Sequence, residues 1–597
     1  MSFETEEQYK LRISELQKEI ESLKQKLTSK IKSERYGLSW IDVPEAFDKE
    51  SENKIPVLSE VKEKSIKNKD GKPTHILIEG DNYHALTCLN YTHAGKIDVI
   101  YIDPPYNTGS DGFTYKDARF LKEYPDGTPV PKDHPLRHSY WLSFMEKRLK
   151  LARNLLSDKG VIFISIDDNE YSQLKLLCDH LLDGTQYVAT FQRLTTKSGK
   201  TPLNFMTSHD YVLCYARKKL NIFIGTSFED NSYKYQDEFF KLRGKYNLKQ
   251  PLDCNSISYS NSLDYPIEHD NVLYYPGGDY NKFLARQNGK YLQKDYAWRW
   301  SKDLYEFGLK NGWIVFKNGR IYTKGYLNAT IENNDGEYNI VYREKTRKRS
   351  TIDFIDNNYS NDIAKKQLLS LNIKAKFDYP KPINLISDLI KTYFSDKAVV
   401  LDFFAGSGTT LHATMQLNEE DGGKRQCILV QQREAEANIC EIITYERNRR
   451  VIQGYTNAKG EKVAGLGNSL KYYRTDFVGK HTADLANDED RIILAQKAGC
   501  LISLCENTLE EITTTKYYQI FTDGKRFTGI YFSDDTERLP EFVEEIEGKD
   551  AHTAVYIFCW GSPDIYENEF NNLKNISIKA IPQPILEIYK TIYSGEE

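Results

Sequence analysis

Apolar residues recur along the chain in short, nearly continuous runs that are rich in β-branched side chains. The run at 97–102, Ile-Asp-Val-Ile-Tyr-Ile, has the length and composition of a strand buried on both faces of a parallel sheet. Similar runs lie at 75–78, 161–166, 187–192, 209–215, 398–401 and 427–430. Segments with helical spacing of apolar residues separate several of them, and this β-α-β order predicts an α/β fold with a mostly parallel sheet.

The first part of the chain has a different period. Residues 5–32 carry apolar side chains at alternating spacings of four and three, with Glu, Lys and Gln between them. These apolar positions are Tyr9, Ile13, Leu16, Ile20, Leu23 and Leu27. The pattern predicts a short coiled coil that pairs with a second copy of the chain, and the alternative is one amphipathic helix packed on its own domain.

A third pattern occupies residues 217–371, where apolar runs are short and aromatic and are separated by Gly, Asn and Asp. Asn318-Gly319 lies between two such runs and predicts a β-hairpin. Basic residues occur in groups, at 241, 243 and 245 and again within 343–349. An aromatic, basic module inserted between two halves of a sheet is suited to contacting DNA.

These patterns predict six parts. They are an N-terminal helix or coiled coil at 1–33, a connecting arm at 34–73, the first half of a sheet domain at 74–216, the inserted module at 217–371, the second half at 372–475 and a C-terminal α/β domain at 476–597. For the C-terminal part we consider two roles. It either docks a partner subunit or is a packing extension of the sheet domain.

Composition narrows the function classes. Hydrophobic residues make up 40% and charged residues 28%, as in a soluble protein with several cores. We find no signal peptide and no apolar run long enough to cross a membrane, so we expect a cytoplasmic protein without membrane partners. The net charge of −5 means that nucleic-acid contacts must come from local basic patches. The nine cysteines lack ligand spacing, and we expect no metal site.

The run at 97–102 leads directly into Asp103-Pro104-Pro105-Tyr106. Two consecutive prolines end both sheet pairing and helix, so the Asp103 carboxylate and the Tyr106 ring are expected on a stiff turn at the carboxyl edge of the sheet. The Asp103 side chain and the Pro104 carbonyl could accept both N–H bonds of an exocyclic amino group. Tyr106 could stack on a base taken out of the duplex.

A second motif follows the apolar run at 398–401. Asp402-Phe-Phe-Ala-Gly406-Ser-Gly408-Thr-Thr is a strand end that passes through a glycine loop into a helix. Glycines there allow the backbone to pass close beneath a ligand, and the helix presents its amino end. The loop lacks the Gly-Lys-Ser/Thr of a Walker motif and the full dinucleotide-binding spacing.

Taken together, the Asp-Pro-Pro-Tyr turn, the inserted module and the Phe-x-Gly-x-Gly loop resemble the beta-class adenine DNA methyltransferases. The similarity covers about residues 34–475 and is greatest to the modification subunits of type III restriction–modification systems. It implies a Rossmann-like sheet interrupted by a recognition domain, S-adenosylmethionine as methyl donor, and methyl transfer to N6 of a flipped adenine in double-stranded DNA. It also implies a homodimer and a separate restriction subunit.

The resemblance assigns residues to two sites. The catalytic residues are Asp103, Pro104, Pro105 and Tyr106, and the cofactor residues are Asp402, Phe404, Ala405, Gly406, Ser407, Gly408 and Thr409, with Lys381, Pro382 and Asp81 beside them. The chain departs from the family pattern at one place. After the run at 427–430 the family often has an acidic residue that binds the ribose hydroxyls, whereas this chain has Gln431-Gln432-Arg433-Glu434. Either a glutamine or Glu434 is expected to replace it.

Two other functions stay open at this point. One is methylation of cytosine N4, although Asp at position 103 favours adenine because the cytosine enzymes mostly carry Ser there. The other is a recognition subunit without catalysis that binds DNA for a partner nuclease or helicase. The intact Asp103, Tyr106, Gly406 and Gly408 argue against the second alternative.

Overall fold

A computed structural model describes residues 37–43, 54–109, 121–124, 127–131, 134–182, 185–197, 205–217, 226–227, 232–248, 250–334, 336–342, 346–373, 375, 377–433, 438–549, 551–570 and 575–594. The predicted coiled coil at 5–32 lies outside these residues. The described part of the chain forms two compact units. One comprises the described residues of Met1–Phe223 and Ser350–Glu597, and the other comprises those of Ile224–Arg349.

In the described part of the first unit, nine strands form one sheet. They are β1 (Ile55–Glu60), β2 (Thr74–Glu79), β3 (Ile97–Ile102), β4 (Leu156–Ile166), β5 (Gln186–Leu194), β6 (His209–Ala216), β7 (Val399–Asp402), β8 (Gln426–Gln431) and β9 (Ser469–Val478). Their order is β1-β9-β2-β8-β7-β3-β4-β6-β5. Only β1 and β6 run antiparallel to the other strands described here. The predicted mostly parallel sheet is confirmed.

Helices cover both faces of this sheet. They are α1 (Asn82–His93), α2 (Ser139–Leu155), α3 (Tyr171–Leu181), α4 (Asn361–Ser370), α5 (Ile383–Lys391), α6 (Thr409–Asp421) and α7 (Glu446–Gln453), which follows a π-helical turn at Cys440–Tyr445. Successive residues of β3 face opposite layers, as a pleated strand requires. Ile100 packs in the cluster that contains α1, α2 and α3, whereas Tyr101 packs with α5 and α6.

The structure corrects the prediction of a connecting arm at 34–73. Ile55–Glu60 forms the edge strand β1, which pairs with β9. Pro56 is tolerated because an edge strand has one row of backbone groups that needs no partner strand. The apolar stretch Ile-Pro-Val-Leu is short and lies among Lys and Glu residues, so its composition concealed the strand.

The C-terminal segment folds around a second sheet. Its elements are α8 (Asp488–Lys497), α9 (Gly499–Glu506), β10 (Glu510–Thr514), β11 (Tyr518–Thr522), β12 (Phe527–Tyr531), α10 (Leu539–Glu547), β13 (Thr553–Phe558), β14 (Ile576–Ile581) and α11 (Gln583–Ser594). The predicted strands that became β12, β13 and β14 are confirmed. β10 and β11 were not predicted, because Glu and Thr dominate the first and no alternation marks the second.

This segment shares a core with the large sheet. Ile502 and Ile585 belong to the same buried cluster as Ile55 and Leu86. The Tyr589 hydroxyl, buried in α11, donates a hydrogen bond to the Pro56 carbonyl at 3.1 Å. The packing is that of an extension of the sheet domain, and partner docking remains a proposal.

The second unit consists of short hairpins and helices. Its strand pairs are Tyr246–Asn247 with Gly325–Tyr326, Asp253–Asn255 with Tyr296–Trp298, Ile267–His269 with Val272–Tyr274, Ile314–Lys317 with Arg320–Thr323, Ala329–Asn334 with Glu337–Tyr342 and Thr226–Ser227 with Thr346–Arg347. Its α-helices among the described residues are Phe240–Arg243, Tyr280–Gln287 and Lys302–Lys310. Positive φ angles of 52° at Asn318 and 70° at Gly319 confirm the predicted hairpin turn.

No helix among the described residues has the length and apolar character that a bilayer crossing requires.

Candidate active site

The Asp-Pro-Pro-Tyr turn is held in place by helix α2. β3 ends at Ile102, and the buried Trp141 indole donates a hydrogen bond to the Pro105 carbonyl at 2.7 Å. Asn107, in the left-handed region at a φ of 58°, donates through its side-chain amide to Glu170 Oε1 at 2.6 Å. These contacts hold the turn on both sides of Tyr106. They agree with the stiff turn that the two prolines predict.

Asp103 uses its two oxygen atoms differently. Oδ2 accepts a hydrogen bond from Lys381 Nζ at 2.5 Å, and the Lys381 side chain is 8% exposed. Oδ1 is buried and has no hydrogen-bond partner among the described residues. Such an atom is costly to leave unpaired, so it is the acceptor that a bound donor group would satisfy.

Lys381 also reaches the aromatic residue of the turn. Its Nζ lies 5.0 Å from the centre of the Tyr106 ring, within the range of a cation–π contact. The resemblance placed Lys381 beside the methionine end of the cofactor. The structure brings it to Asp103 and Tyr106, a pairing between distant segments that no local signal in the sequence marks.

The Tyr106 hydroxyl points away from Lys381, toward a buried ion pair. It donates to Asp210 Oδ2 at 3.4 Å, and Asp210 binds the Arg193 guanidinium. Burial raises the pKa of Tyr106 well above 10, and the charges of Asp103 and Asp210 act in the same direction. The hydroxyl is therefore a donor throughout the neutral range. Neither Arg193 nor Asp210 was identified from the sequence.

Asp402 organises the glycine loop. Its carboxylate accepts hydrogen bonds from the Phe404 amide at 3.0 Å and the Thr410 hydroxyl at 2.5 Å. Complete burial raises its pKa to about 7, against the lowering effect of these two donors. The carboxylate thus ties the end of β7 to the first turn of α6.

The two glycines of the loop have positions that other residues do not fit. Gly406 and Gly408 have φ angles of 51° and 73°. A Cβ atom on Gly408 would lie 2.4 Å from the side-chain nitrogen of Asn448. A Cβ atom on Gly406 would lie 3.2 Å from the Phe377 ring. A side chain at Gly408 would therefore collide with Asn448, and one at Gly406 would crowd the Phe377 ring.

Gln431 supports this loop. Its side-chain oxygen accepts a hydrogen bond from the Gly406 amide at 2.6 Å. From the sequence, either a glutamine of Gln431-Gln432 or Glu434 was expected to replace the missing ribose-binding acid. The acceptor of Gln431 is engaged with the loop, and Glu434 lies outside the described residues.

A buried cation lies behind the loop. Arg447 donates to the Ser407 hydroxyl at 3.0 Å and to the Thr409 hydroxyl at 2.7 Å, and burial lowers its pKa to about 9. The sequence offered no sign of this contact, because Arg447 belongs to an ordinary-looking basic helix.

The turn and the loop line one open cleft, with about 270 Å³ of empty space that includes the solvent at its mouth. Its lining residues are Tyr101, Asp103, Phe377, Tyr379, Pro380, Lys381, Asp402, Phe404, Ala405, Gly406, Ser407, Thr409 and Thr410. The cleft therefore combines one predicted catalytic residue, Asp103, with seven of the ten predicted cofactor residues. Asp81 is not among these lining residues; it caps α1 by accepting from the Tyr83 amide at 2.8 Å. Pro104, Pro382 and Gly408 adjoin lining residues along the chain, and Pro105 and Tyr106 follow Pro104; none of these five residues lines the cleft.

Comparison with known proteins assigns the part of the chain that forms this cleft to a protein family. Residues 97–453, which run from β3 through α7 and contain both motifs, match the DNA methylase family of N6 and N4 methyltransferases. The chain belongs to the DNA methylase family.

Curated relatives of the methylase include modification subunits. The type III restriction-modification enzyme StyLTI Mod subunit of Salmonella typhimurium LT2 is 34% identical over 385 residues, which are 60% of this chain and 53% of that protein. The EcoPI Mod subunit of Escherichia phage P1 is 28% identical over 565 residues, 83% of this chain and 82% of that subunit. The type II methyltransferase M.KpnI of Klebsiella pneumoniae is 29% identical over 407 residues, 67% of this chain and 90% of that enzyme. The methylase thus spans about half of the length of the Salmonella relative.

The chain contains a DNA methylase domain, and S-adenosylmethionine is the methyl donor that the resemblance implies. The described cleft fits this cofactor. Gly406 lets the backbone lie directly against a ligand, and the aromatic rings of Phe377 and Phe404 provide apolar walls. The Asp103 carboxylate lines the same space, which suits a ligand with a sulfonium cation.

Proposed function

We propose that the methylase transfers the methyl group of S-adenosylmethionine to the N6 amino group of an adenine flipped out of double-stranded DNA. The observation that carries this proposal is the single cleft that contains both Asp103 and the glycine loop. The bound cofactor supplies a methyl group activated by its cationic sulfur. The residues of the chain bind, orient and exclude water.

The unpartnered Asp103 Oδ1 is the proposed acceptor for one N–H of the target amino group. An exocyclic amino group is a weak nucleophile because its lone pair is delocalised into the ring. A hydrogen bond from N–H to Oδ1 favours a tetrahedral nitrogen whose lone pair is free to attack. Lys381 holds the other oxygen at 2.5 Å, so it fixes the direction of Oδ1.

The cofactor, held at the glycine loop, would supply the methyl group that the nitrogen takes up and would be left as a neutral thioether. The amino proton must then leave the nitrogen, and the Asp103 carboxylate, which lines the same cleft, is the proposed group to receive it. Tyr106 is the proposed stacking surface for the flipped base. Its hydroxyl bond to Asp210 fixes the position of the outer end of the ring.

The partners are further parts of this proposal. The Mod subunits among the relatives suggest that the methylase is the modification and recognition subunit of a type III restriction–modification system, with DNA as substrate and a restriction subunit as partner. We propose that Ile224–Arg349 reads the DNA sequence, and that the protein acts in the cytoplasm. The seam at 5–32 supports a homodimer.

The test is to express the chain in a host that lacks DNA methylation and to locate modified bases by single-molecule sequencing. N6-methyladenine within one short motif is the expected result. Asp103→Ala should abolish the modification while specific DNA binding by the purified protein persists. Asp396→Asn is a matched control, because Asp396 is exposed and precedes the opposite, amino end of β7.

The same experiment decides between this proposal and the alternatives. N4-methylcytosine in place of N6-methyladenine would assign the cytosine activity. A wild type that binds a specific sequence but leaves DNA unmodified, with methyl-tritiated cofactor present, would support a recognition subunit without catalysis.

A further inference from the structure

A buried polar chain runs from the catalytic turn to the segment that follows the second unit. The Tyr106 hydroxyl lies 3.4 Å from Asp210 Oδ2, and Arg193 Nε donates to Asp210 Oδ1 at 2.7 Å. A second guanidinium nitrogen of Arg193 binds Oδ2. Arg193 and Asp210 are 1% and 2% exposed. The pair is thus a buried, two-point contact beside the stacking tyrosine.

Arg193 is bound on its other side by residues 350–361, which we name the return segment because it follows Arg349, the last residue of the second unit. Arg193 donates to the Tyr359 carbonyl and to the Asn361 side chain, each at 3.0 Å. One guanidinium therefore touches both the return segment and the carboxylate that holds Tyr106.

The backbone of the return segment is also paired with β5. The Gln192 amide donates to the Thr351 carbonyl at 2.9 Å, and the Leu194 amide donates to the Phe354 carbonyl at 3.0 Å. The buried Phe354 ring packs on Phe191 with ring centres 5.4 Å apart. The return segment thus packs along the edge strand β5, which carries Arg193. A change in the position of this segment would therefore move the Arg193 guanidinium.

Stability alone does not account for this arrangement. Removing two charges from water costs free energy, and well-packed apolar residues of similar volume are often as stable or more so. A two-point Arg–Asp contact instead fixes geometry, because the planar guanidinium matches the carboxylate in one orientation. The free side of that carboxylate faces the Tyr106 hydroxyl.

We propose that Asp210 and Arg193 are positioning residues for Tyr106, and that Arg193 makes the orientation of the stacking ring depend on the seating of the return segment. The inference rests on the proposed function, in which Tyr106 stacks on the flipped base. It assigns no chemical step to either residue. It predicts that three changes weaken the same step, the stacking of Tyr106 on the flipped base. They are loss of the Tyr106 hydroxyl, loss of the Asp210 charge and loss of the Asn361 contact.

The experiment is a double-mutant cycle of Tyr106→Phe, Asp210→Asn and their combination, with Asn361→Ala as a third variant. Steady-state methylation of DNA gives kcat and KM, and 2-aminopurine at the mapped target position reports base extrusion by its fluorescence. Each single variant is expected to raise KM for DNA and lower the fluorescence gain by about threefold to tenfold, the effect of one hydrogen bond. Affinity for S-adenosylmethionine should not change.

Coupling is the decisive result. The Tyr106→Phe, Asp210→Asn double variant should be no worse than the stronger single variant, because both cut the same contact. Asn361→Ala should add nothing to Tyr106→Phe. Tyr215→Phe is the matched control. Tyr215 lies on strand β6 of the same sheet, and its hydroxyl also donates to an aspartate, Asp179, at 2.7 Å.

Additive effects in the cycle, or a Tyr106→Phe enzyme that matches the wild type, would overturn the inference. Asp210→Asn leaves Arg193 buried without its counter-charge, so thermal unfolding is measured for every variant. If that variant does not fold, the cycle of Tyr106→Phe with Asn361→Ala decides instead. A wild type that transfers no methyl group contradicts the proposed function, whereas an active wild type with additive variants contradicts only this inference.

Discussion

At the scale of single residues, the site depends on how charges are paired. Asp103 carries one oxygen paired with Lys381 and one buried oxygen without a partner, while Asp402 satisfies both of its oxygens within the glycine loop. The same residue type therefore has two roles that the environment decides. Asp103 is available to a ligand, and Asp402 holds the backbone that contacts one.

Lys381 gives the first prediction. Lys381→Met keeps the length of the side chain but removes its charge, so Asp103 loses the contact that directs Oδ1. We expect kcat to fall by about tenfold to a hundredfold, which corresponds to losing one charge-assisted hydrogen bond. Lys381→Arg should recover part of the rate. The measurement is single-turnover methylation of DNA. An unchanged kcat with a lower KM for DNA would instead mean that the ammonium merely occupies the place of the base.

Asp402 gives a prediction on pH. Its folded-state pKa of about 7 lies above the ordinary value of 3.8, so between these values the folded chain retains a proton that the unfolded chain has lost. Folding stability should therefore fall as pH rises through this window, by roughly 1.4 kcal/mol per pH unit at the steepest point. Asp402→Asn should remove that slope. Urea unfolding of both proteins between pH 5 and pH 8 measures it, and parallel curves would contradict the assignment.

At the scale of elements, patterns in the sequence revealed what each segment does alone. The apolar run before Asp103 predicted β3, the prolines predicted its end, and the glycines predicted a loop that lies against a ligand; all of these elements are present. Contacts between elements were beyond the same reasoning. The pairings of Lys381 with Asp103, of Asp210 with Tyr106 and of Gln431 with Gly406 join segments far apart in sequence. Side-chain periodicity carries no information on such contacts.

The loop gives a prediction at this scale. Gly408→Ala places a Cβ 2.4 Å from Asn448 at a positive φ, so it should destabilise the fold by more than 1 kcal/mol and weaken cofactor binding. Gly422→Ala is the control. Gly422 has a similar φ of 70° at the other end of α6, with nothing within 4 Å of its Cβ position. Calorimetric titration with S-adenosylmethionine should therefore separate the two variants, and equal affinities would contradict the role given to the loop.

At the scale of the whole molecule, the C-terminal segment completes the core of the first unit. Leu501 in α9 is fully buried in the cluster that includes Leu86 and Leu89 of α1. The sequence showed the strands of this segment but left its role open, because the apolar faces of α8 and α9 do not indicate which surface they cover. The structure shows that α9 covers helix α1 and strand β1, and that α8 covers strands β1 and β9.

The corresponding prediction concerns cooperativity. Leu501→Ala should destabilise the protein by about 2–5 kcal/mol, because a buried leucine is replaced by a cavity. Leu485→Ala, at a position 68% exposed in the same segment, should be nearly neutral. Thermal unfolding with and without S-adenosylmethionine measures both. If the segment were an independent domain, Leu501→Ala would produce a separate early transition, and the cofactor would still protect the remaining one.

The strand order also has a consequence during synthesis. β2 lies between β8 and β9, and Tyr472, which binds Glu79 across the sheet, is 393 positions later in the chain. At ribosomal rates of 5–20 residues per second, β2 waits about 20–80 s for its neighbours. During that time its backbone edges are open to other nascent chains. A lower growth temperature or added chaperones should therefore increase the yield of native enzyme far more than a stronger promoter does.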